Sequence, residues 1–293
     1  MSMASNENCG WRGACTAARP SIGILLFSLA LPGFLAAQFR PEEIAIRPEM
    51  EAFLVSAEIV KAAPVGEGVT HPYRLTLRKG DVEKTAFWKN PSGMMSGFLE
   101  GWQYEIAAYR LDKLLGLGMV PVVVEREFQG RKGSLSLYAE NRASLLKVME
   151  QGIPIPKEAE PAMEKMKWLT RAWDSLIANE DRTQQNVLYT ADWRTILIDH
   201  SRAFRSTPEF TEKLMFGADG IKKGQDGHAL LFRRLPRWFY EKIKGLTAES
   251  VRAAAGGTLT DAEVRSLLAR RDLLVKQIDG MIRAQGEPNV LYD

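Results

Sequence analysis

The sequence predicts an α+β chain of two lobes: a small antiparallel sheet in the first half, about residues 50–140, and a mainly helical second half, about 160–293. Three observations carry this. Apolar and polar residues alternate through Tyr73, Leu75 and Leu77; the spacing turns helical at Ala107, Leu111 and Leu114; and helical spacing prevails beyond Pro161. In chain order, FLVSAEIV (53–60) reads as a strand and Gly66 and Gly68 as a break. YRLTLRKGDVEKTAFWK then reads as a hairpin turning at Lys79-Gly80-Asp81. A helix is expected over Phe98–Leu117, with Gly116 and Gly118 as stops and Pro121 barring continuation. VPVVVEREFQGRKGSLSLYAE reads as two strands around the Gln129–Gly133 turn. Pro154, Pro156 and Pro161 mark a connector between the halves. After it, helices are expected at Ala162–Asn179, near Pro236–Lys244, at Ala248–Ala255 and at Thr260–Ala284, with a short strand at 195–199. Thr260 followed by Glu263 is a capping-box start.

With 293 residues and 45% hydrophobic content the chain can bury a sizeable core, which excludes a disordered or low-complexity class. Its net charge of +3 is too small for the field of a nucleic-acid clamp, so no nucleic-acid partner is expected. His71, His200 and His228 are too few and too scattered for a structural zinc site.

Residues 1–37 read as a signal peptide. Arg12 and Arg19 precede an apolar run, IGILLFSLALPGFLAA (22–37), that ends in small residues before Gln38. The run falls short of the roughly 20 residues a membrane span needs, and Pro32 interrupts it. Cleavage after Ala36 or Ala37, the latter leaving residues 38–293, would export the mature chain to a periplasm or the exterior and remove both cysteines, Cys9 and Cys15. The alternative is an anchor formed by residues 21–37.

The chemistry concentrates in NEDRTQQNVLYTADWRTILIDHSRAF, residues 179–204. Asp181 ends a helix, Asn186 follows it closely, and Asp199 closes a strand. The strands after Asn186 and before Asp199, joined by the turn at Ala191-Asp192, would bring these two residues to one end. Phosphoryl transfer asks for such parts: a carboxylate to orient the nucleophile and accept its proton, and an amide oxygen and a second carboxylate for Mg²⁺. Upstream lie a glycine-containing loop, Gly66-Glu67-Gly68-Val69-Thr70, a strand-end Lys89 with Lys84 as its rival, and Glu105 early on a helix.

On these residues the sequence resembles the atypical branch of the kinase-like superfamily: phosphatidylinositol 3-/4-kinases, HipA-type kinases and secretory-pathway kinases. Asp181-Arg182-Thr183-Gln184-Gln185-Asn186 matches the Asp-Arg-x-x-x-Asn catalytic loop, and Ile198-Asp199-His200 stands where protein kinases show Asp-Phe-Gly. The resemblance covers about residues 53–204. It implies a two-lobe protein-kinase-like fold, ATP and Mg²⁺ as cofactors, Asp181 as base, and Asn186 and Asp199 as metal ligands. It further implies Lys89 on the α/β phosphates, Glu105 fixing Lys89, and Gly66, Gly68 and Thr70 against the nucleotide. The segment 137–141 would carry the backbone that meets adenine. Arg182 is expected to cover the substrate or to pair with a carboxylate, and His200 to be packed or hydrogen-bonded. The acceptor, whether protein, lipid or small molecule, is open. A catalytically inactive pseudokinase that binds nucleotide or another ligand, and nucleotidyl transfer on the same scaffold, are the alternatives.

Overall fold

The computed structural model describes residues 39–66 and 71–293, which lie in one of two units into which the chain divides, Phe34–Asp293. The signal-peptide segment, Gly68 and Thr70 lie outside the described residues.

The chain enters through two short helices, α1 (Pro41–Ala45) and α2 (Arg47–Ser56), before β1 (Glu58–Pro64). The strand expected from Phe53 therefore begins five residues later. Adjacent Phe53 and Leu54 are both buried, which alternating strand geometry does not allow on one face but a helical stripe with Met50 does. Strands β2 (Tyr73–Lys79) and β3 (Val82–Lys89) form the expected hairpin, with Leu75 and Leu77 at 0% exposure. A second hairpin, β4 (Ser92–Met95) and β5 (Phe98–Gly101), takes up what reads in sequence as the start of the next helix. Gly101 marks the change: a Cβ there would stand 2.6 Å from the Tyr104 ring. Helix α3 (Trp102–Leu115) follows and stops at Gly116, which is left-handed at φ 70°. Strands β6 (Val123–Phe128) and β7 (Arg131–Leu137) complete an antiparallel sheet in the order β1-β2-β3-β7-β6.

Past β7 the chain is pinned to β3 by the Tyr138 N–H on the Thr85 carbonyl (2.9 Å) and to the next lobe by the Arg142 N–H on the Tyr189 carbonyl (2.7 Å). Strand β8 (Ala143–Ser144) and helix α4 (Leu145–Glu150) pack with the second lobe, so the crossing runs over 138–142 and the Pro154–Pro161 run lies within that lobe. Helix α5 (Glu160–Ile177) leads to the hairpin of β9 (Val187–Tyr189) and β10 (Thr195–Leu197). Then come α6 (Pro208–Glu212), the strand β11 (Leu235–Pro236), α7 (Arg237–Lys244), α8 (Ala248–Ala255), α9 (Asp261–Gln285), α10 (Glu287–Val290) and β12 (Leu291–Tyr292). The Thr260–Glu263 capping box starts α9 as expected. Trp173, Leu176, Ile177, Leu267, Leu274 and Ile278 are all buried in the core that joins α5 to α9. Among the described residues no helix is long and apolar enough to cross a membrane.

Candidate active site

Lys89, the last residue of β3, has its ammonium 2.8 Å from Glu105 Oε1 and 2.8 Å from Asp199 Oδ1. Three sequence-predicted residues, 110 positions apart at the extremes, thus meet at one nitrogen. Lys84, the rival, sits at odd spacing on the same strand and points to the other face of the sheet, where it is exposed. Burial by itself would lower the Lys89 pKa, but Asp199 and Glu105 outweigh it and hold the ammonium charged. For Glu105, burial pushes upward, and Lys89 and the His200 side chain outweigh it, holding the carboxyl below the usual carboxylate range.

Glu105 has a second task. Its Oε2 accepts the backbone N–H of His200 at 3.0 Å, so one carboxylate fixes both Lys89 and the chain immediately after Asp199. Asp199 itself is left-handed at φ 58°, a conformation that Asp tolerates better than most residues. Its Oδ1 also accepts from the Ser201 hydroxyl at 3.0 Å.

On the other side, Asn179, Asp181 and Asn186 form a tight loop. The Asp181 N–H donates to Asn179 Oδ1 (3.2 Å), and the Asp181 carbonyl accepts from the Thr183 N–H (2.8 Å) and from Asn186 Nδ2 (3.0 Å). Because its amide nitrogen is used in this way, Asn186 keeps its side-chain oxygen as an acceptor. The Ile198 N–H donates to the Asn186 carbonyl at 3.1 Å, which places Asn186 and Asp199 at the same end of the β9–β10 pair. Among the described residues no three His, Cys, Asp or Glu side chains close around one point. A cation here would therefore rely on one carboxylate, one amide oxygen and the ligand's own oxygens, a donor set that suits Mg²⁺ or Mn²⁺.

Asp181 has its carboxylate 3.5 Å from Arg202, whose Nε donates to Glu100 at 2.5 Å and whose guanidinium lies over the Phe98 ring. Burial raises the Asp181 pKa, Arg202 opposes the rise, and Asp199 and Glu100 add to it; the net direction is up. The Gly101 N–H on the Ser201 carbonyl (2.9 Å) adds a second tie between β5 and this segment.

Of the nucleotide-facing glycine calls, only Gly66 is described. It is exposed, with open space where a Cβ would stand, so nothing around it demands glycine. A cavity of about 750 Å³ lies elsewhere, behind the 138–142 crossing, between the α1–α2 segment, the start of β3 and the β9–β10 turn. None of Lys89, Glu105, Asp181, Asn186 and Asp199 lines it, so it is not the Lys89 cleft.

Sequence reasoning missed Glu100, Arg202's role and Asp174. Only Asp174 left a trace, as a lone acid at 0% exposure inside the apolar stripe of α5 between Trp173 and Ile177.

No known family model matches the sequence, and no curated protein is similar to it at a significant level. Solved structures do match. The chain is similar to a Golgi casein kinase (TM-score 0.56, 14% identity, covering 85% of this chain and 79% of that one). It matches the Golgi casein kinase with Mn/ADP bound at the same TM-score of 0.56, with 15% identity and coverage of 85% and 79%. It is also similar to the Helicobacter pylori proinflammatory kinase CtkA (TM-score 0.50, 10% identity, covering 80% of this chain and 96% of that one). With its antiparallel sheet lobe, its helical lobe and these neighbours, the chain has the atypical kinase-like fold.

Proposed function

We propose that this protein is a phosphotransferase that uses ATP with Mg²⁺. The observation that carries the proposal is the meeting of Lys89, Glu105 and Asp199 at one nitrogen, drawn from a strand, a helix and the segment after β10. The kinase-like fold and a neighbour crystallised with Mn/ADP support it.

In this reading Lys89 holds the α/β phosphates, and Glu105 keeps its ammonium in place. Asn186 and Asp199 would hold the metal, which when bound supplies positive charge against the phosphate oxygens. Asp181 orients the acceptor hydroxyl and takes its proton. The hydroxyl oxygen forms the new bond to the γ-phosphorus as the bond to the β–γ bridging oxygen breaks, and ADP leaves with that electron pair. A raised Asp181 pKa makes its carboxylate a stronger base toward the proton of the acceptor hydroxyl. Gly66, Gly68 and Thr70 would close over the phosphates. The acceptor class is open; with residues 1–37 read as a cleaved leader, the protein is proposed to reside in an exported compartment, where it needs a nucleotide source.

The test is ATP turnover or autophosphorylation by residues 38–293, compared with Asp181→Asn and Lys89→Met. Loss of about 100-fold or more in both, with ADP still bound by Asp181→Asn, fits the reading. Full activity in either variant removes that residue from the mechanism. Nucleotide binding without turnover in the parent chain would instead mark a binding module.

A further inference from the structure

Arg182 follows the proposed base directly, yet its side chain is only 6% exposed. A guanidinium carries five N–H groups, and the surroundings of Arg182 take all of them. Nε and Nη2 donate to the two oxygens of Asp174 at 3.0 and 3.1 Å. Nη1 donates to the Asn186 carbonyl at 3.0 Å and to the Ile198 carbonyl at 2.8 Å. Nη2 reaches His200 Nε2 at 2.9 Å. No N–H is left over for a substrate. Besides Asp174, the acceptors are one proposed metal ligand, Asn186, and the residues immediately before and after the other, Asp199.

The linkage continues through His200. With Nε2 accepting from Arg182, the neutral ring carries its proton on Nδ1, which faces Glu105 Oε2 at 3.8 Å. The backbone N–H of His200 holds the same oxygen at 3.0 Å. Burial holds the imidazole neutral, as does the Arg182 charge, while Glu105 opposes them. The far end is anchored by Asp174, fully buried on α5, which also accepts from Asn179 at the root of the loop.

We propose that Arg182 is a positioning residue: it sets the backbone of Asn186 against that of Asp199, and through His200 it sets Glu105 and hence Lys89. The proposal rests on the phosphotransferase reading above. Lysine is no substitute, because a single ammonium has neither the fork nor the reach to hold two carbonyls, an imidazole and a bidentate carboxylate together.

The experiment uses Arg182→Lys in residues 38–293 and reads two quantities. Amide hydrogen exchange at Ile198 and His200, which report the pairing to Asn186 and Glu105, should accelerate about tenfold or more, while Leu197, bonded to the Met119 carbonyl at 2.9 Å, stays protected. The Mg²⁺ concentration needed for the ATP-induced rise in Tm should increase about 10–100-fold, the usual loss when a residue supporting a metal ligand is removed. Should Arg182→Lys fail to fold, His200→Leu and His200→Gln replace it: leucine removes the acceptor for Nη2, glutamine supplies one, and the leucine variant should lose more. Unchanged exchange at Ile198 and His200 overturns the positioning role whether or not the protein binds ATP. Faster exchange with an unchanged Mg²⁺ requirement overturns the link to the metal ligands. A parent chain with no Mg²⁺-dependent shift, by contrast, overturns the phosphotransferase reading and the positioning role with it.

Discussion

Two buried arginines flank the segment that carries Asp199, and they are built in opposite ways. Arg182 shares its charge with Asp174 and spends its remaining donors on carbonyls and an imidazole around the 179–186 loop and Asp199. Arg270, on α9 and at 0% exposure, has no carboxylate partner among the described residues. It donates to the carbonyls of Leu176 (2.9 Å), Arg205 (2.8 Å) and Phe210 (3.1 Å), and its Nη2 has no partner. Burial lowers its pKa with nothing to oppose it. What it has instead is position: Leu176 lies in the last turn of α5, where the carbonyl ends of the helix favour a cation. The contrast separates two jobs. The loop that carries Asp181 and Asn186 is held by a neutralised, many-pointed clasp, and the chain leading away from it is held by a lone cation against helix and loop carbonyls.

The comparison breaks most sharply at Asp174. Asp174→Ala leaves the Arg182 charge buried without its anion and should cost about 3–5 kcal/mol of unfolding free energy. Arg270→Met leaves no orphaned charge. It strands three carbonyls but also relieves an uncompensated cation, so the cost should be smaller, about 1–3 kcal/mol. Denaturant unfolding of both variants checks the order. Equal costs, or a larger cost for Arg270→Met, would mean that the carbonyl contacts alone account for both sites.

Acid sharpens the same contrast, because only the Arg182 side carries a titratable imidazole. The His200 pKa is lowered in the folded state from its ordinary 6.5. Unfolding lets the ring take up a proton, so stability is lost as pH falls below about 6.5, at no more than about 1.4 kcal/mol per pH unit. Glu105, also lowered when folded, contributes stability that is present above the ordinary carboxylate range and is lost as pH falls below it. His200→Gln should flatten the stability profile between about pH 6.5 and 5, while the lower limb, which Lys89 sustains at Glu105, persists in reduced form. A profile of unchanged slope in that window would show that His200 does not titrate on unfolding. Activity should follow a different group. It should rise with pH through the raised Asp181 pKa, displacing the acidic limb of the rate profile above the usual carboxylate value near 4.

The parts of the fold with local causes were legible in the sequence. Alternation at Tyr73, Leu75 and Leu77 located the first hairpin, and the Thr260–Glu263 spacing located the start of α9. The lysine, glutamate and aspartate that meet in the cleft were identified because their residue types and order resemble a known pattern. What was not legible depends on contacts that no local window contains. Helix α2 is held by Arg47 on Asp112 (3.1 Å) and on the Val120 carbonyl (3.1 Å), 65 and 73 residues away. The β4–β5 hairpin meets the segment after Asp199 through Glu100 and Arg202, 102 residues apart. Arg182 and Asp174 are only eight residues apart, but the pair is visible only once α5 ends at the left-handed Ala178 and the chain doubles back.

The central claim, that Asp199 stands in a metal-dependent nucleotide site, is tested most directly by the Tm of residues 38–293 and of Asp199→Asn, titrated with ATP with and without Mg²⁺. The parent should gain about 2.7 kcal/mol of stability at 100 times the dissociation constant, and only when Mg²⁺ is present. Asp199→Asn should fold and lose that metal-dependent gain, since the missing charge is at the ligand and the residue is not part of the apolar core. An equal Mg²⁺-ATP shift in parent and Asp199→Asn, or no shift in the parent at any Mg²⁺ concentration, would contradict it.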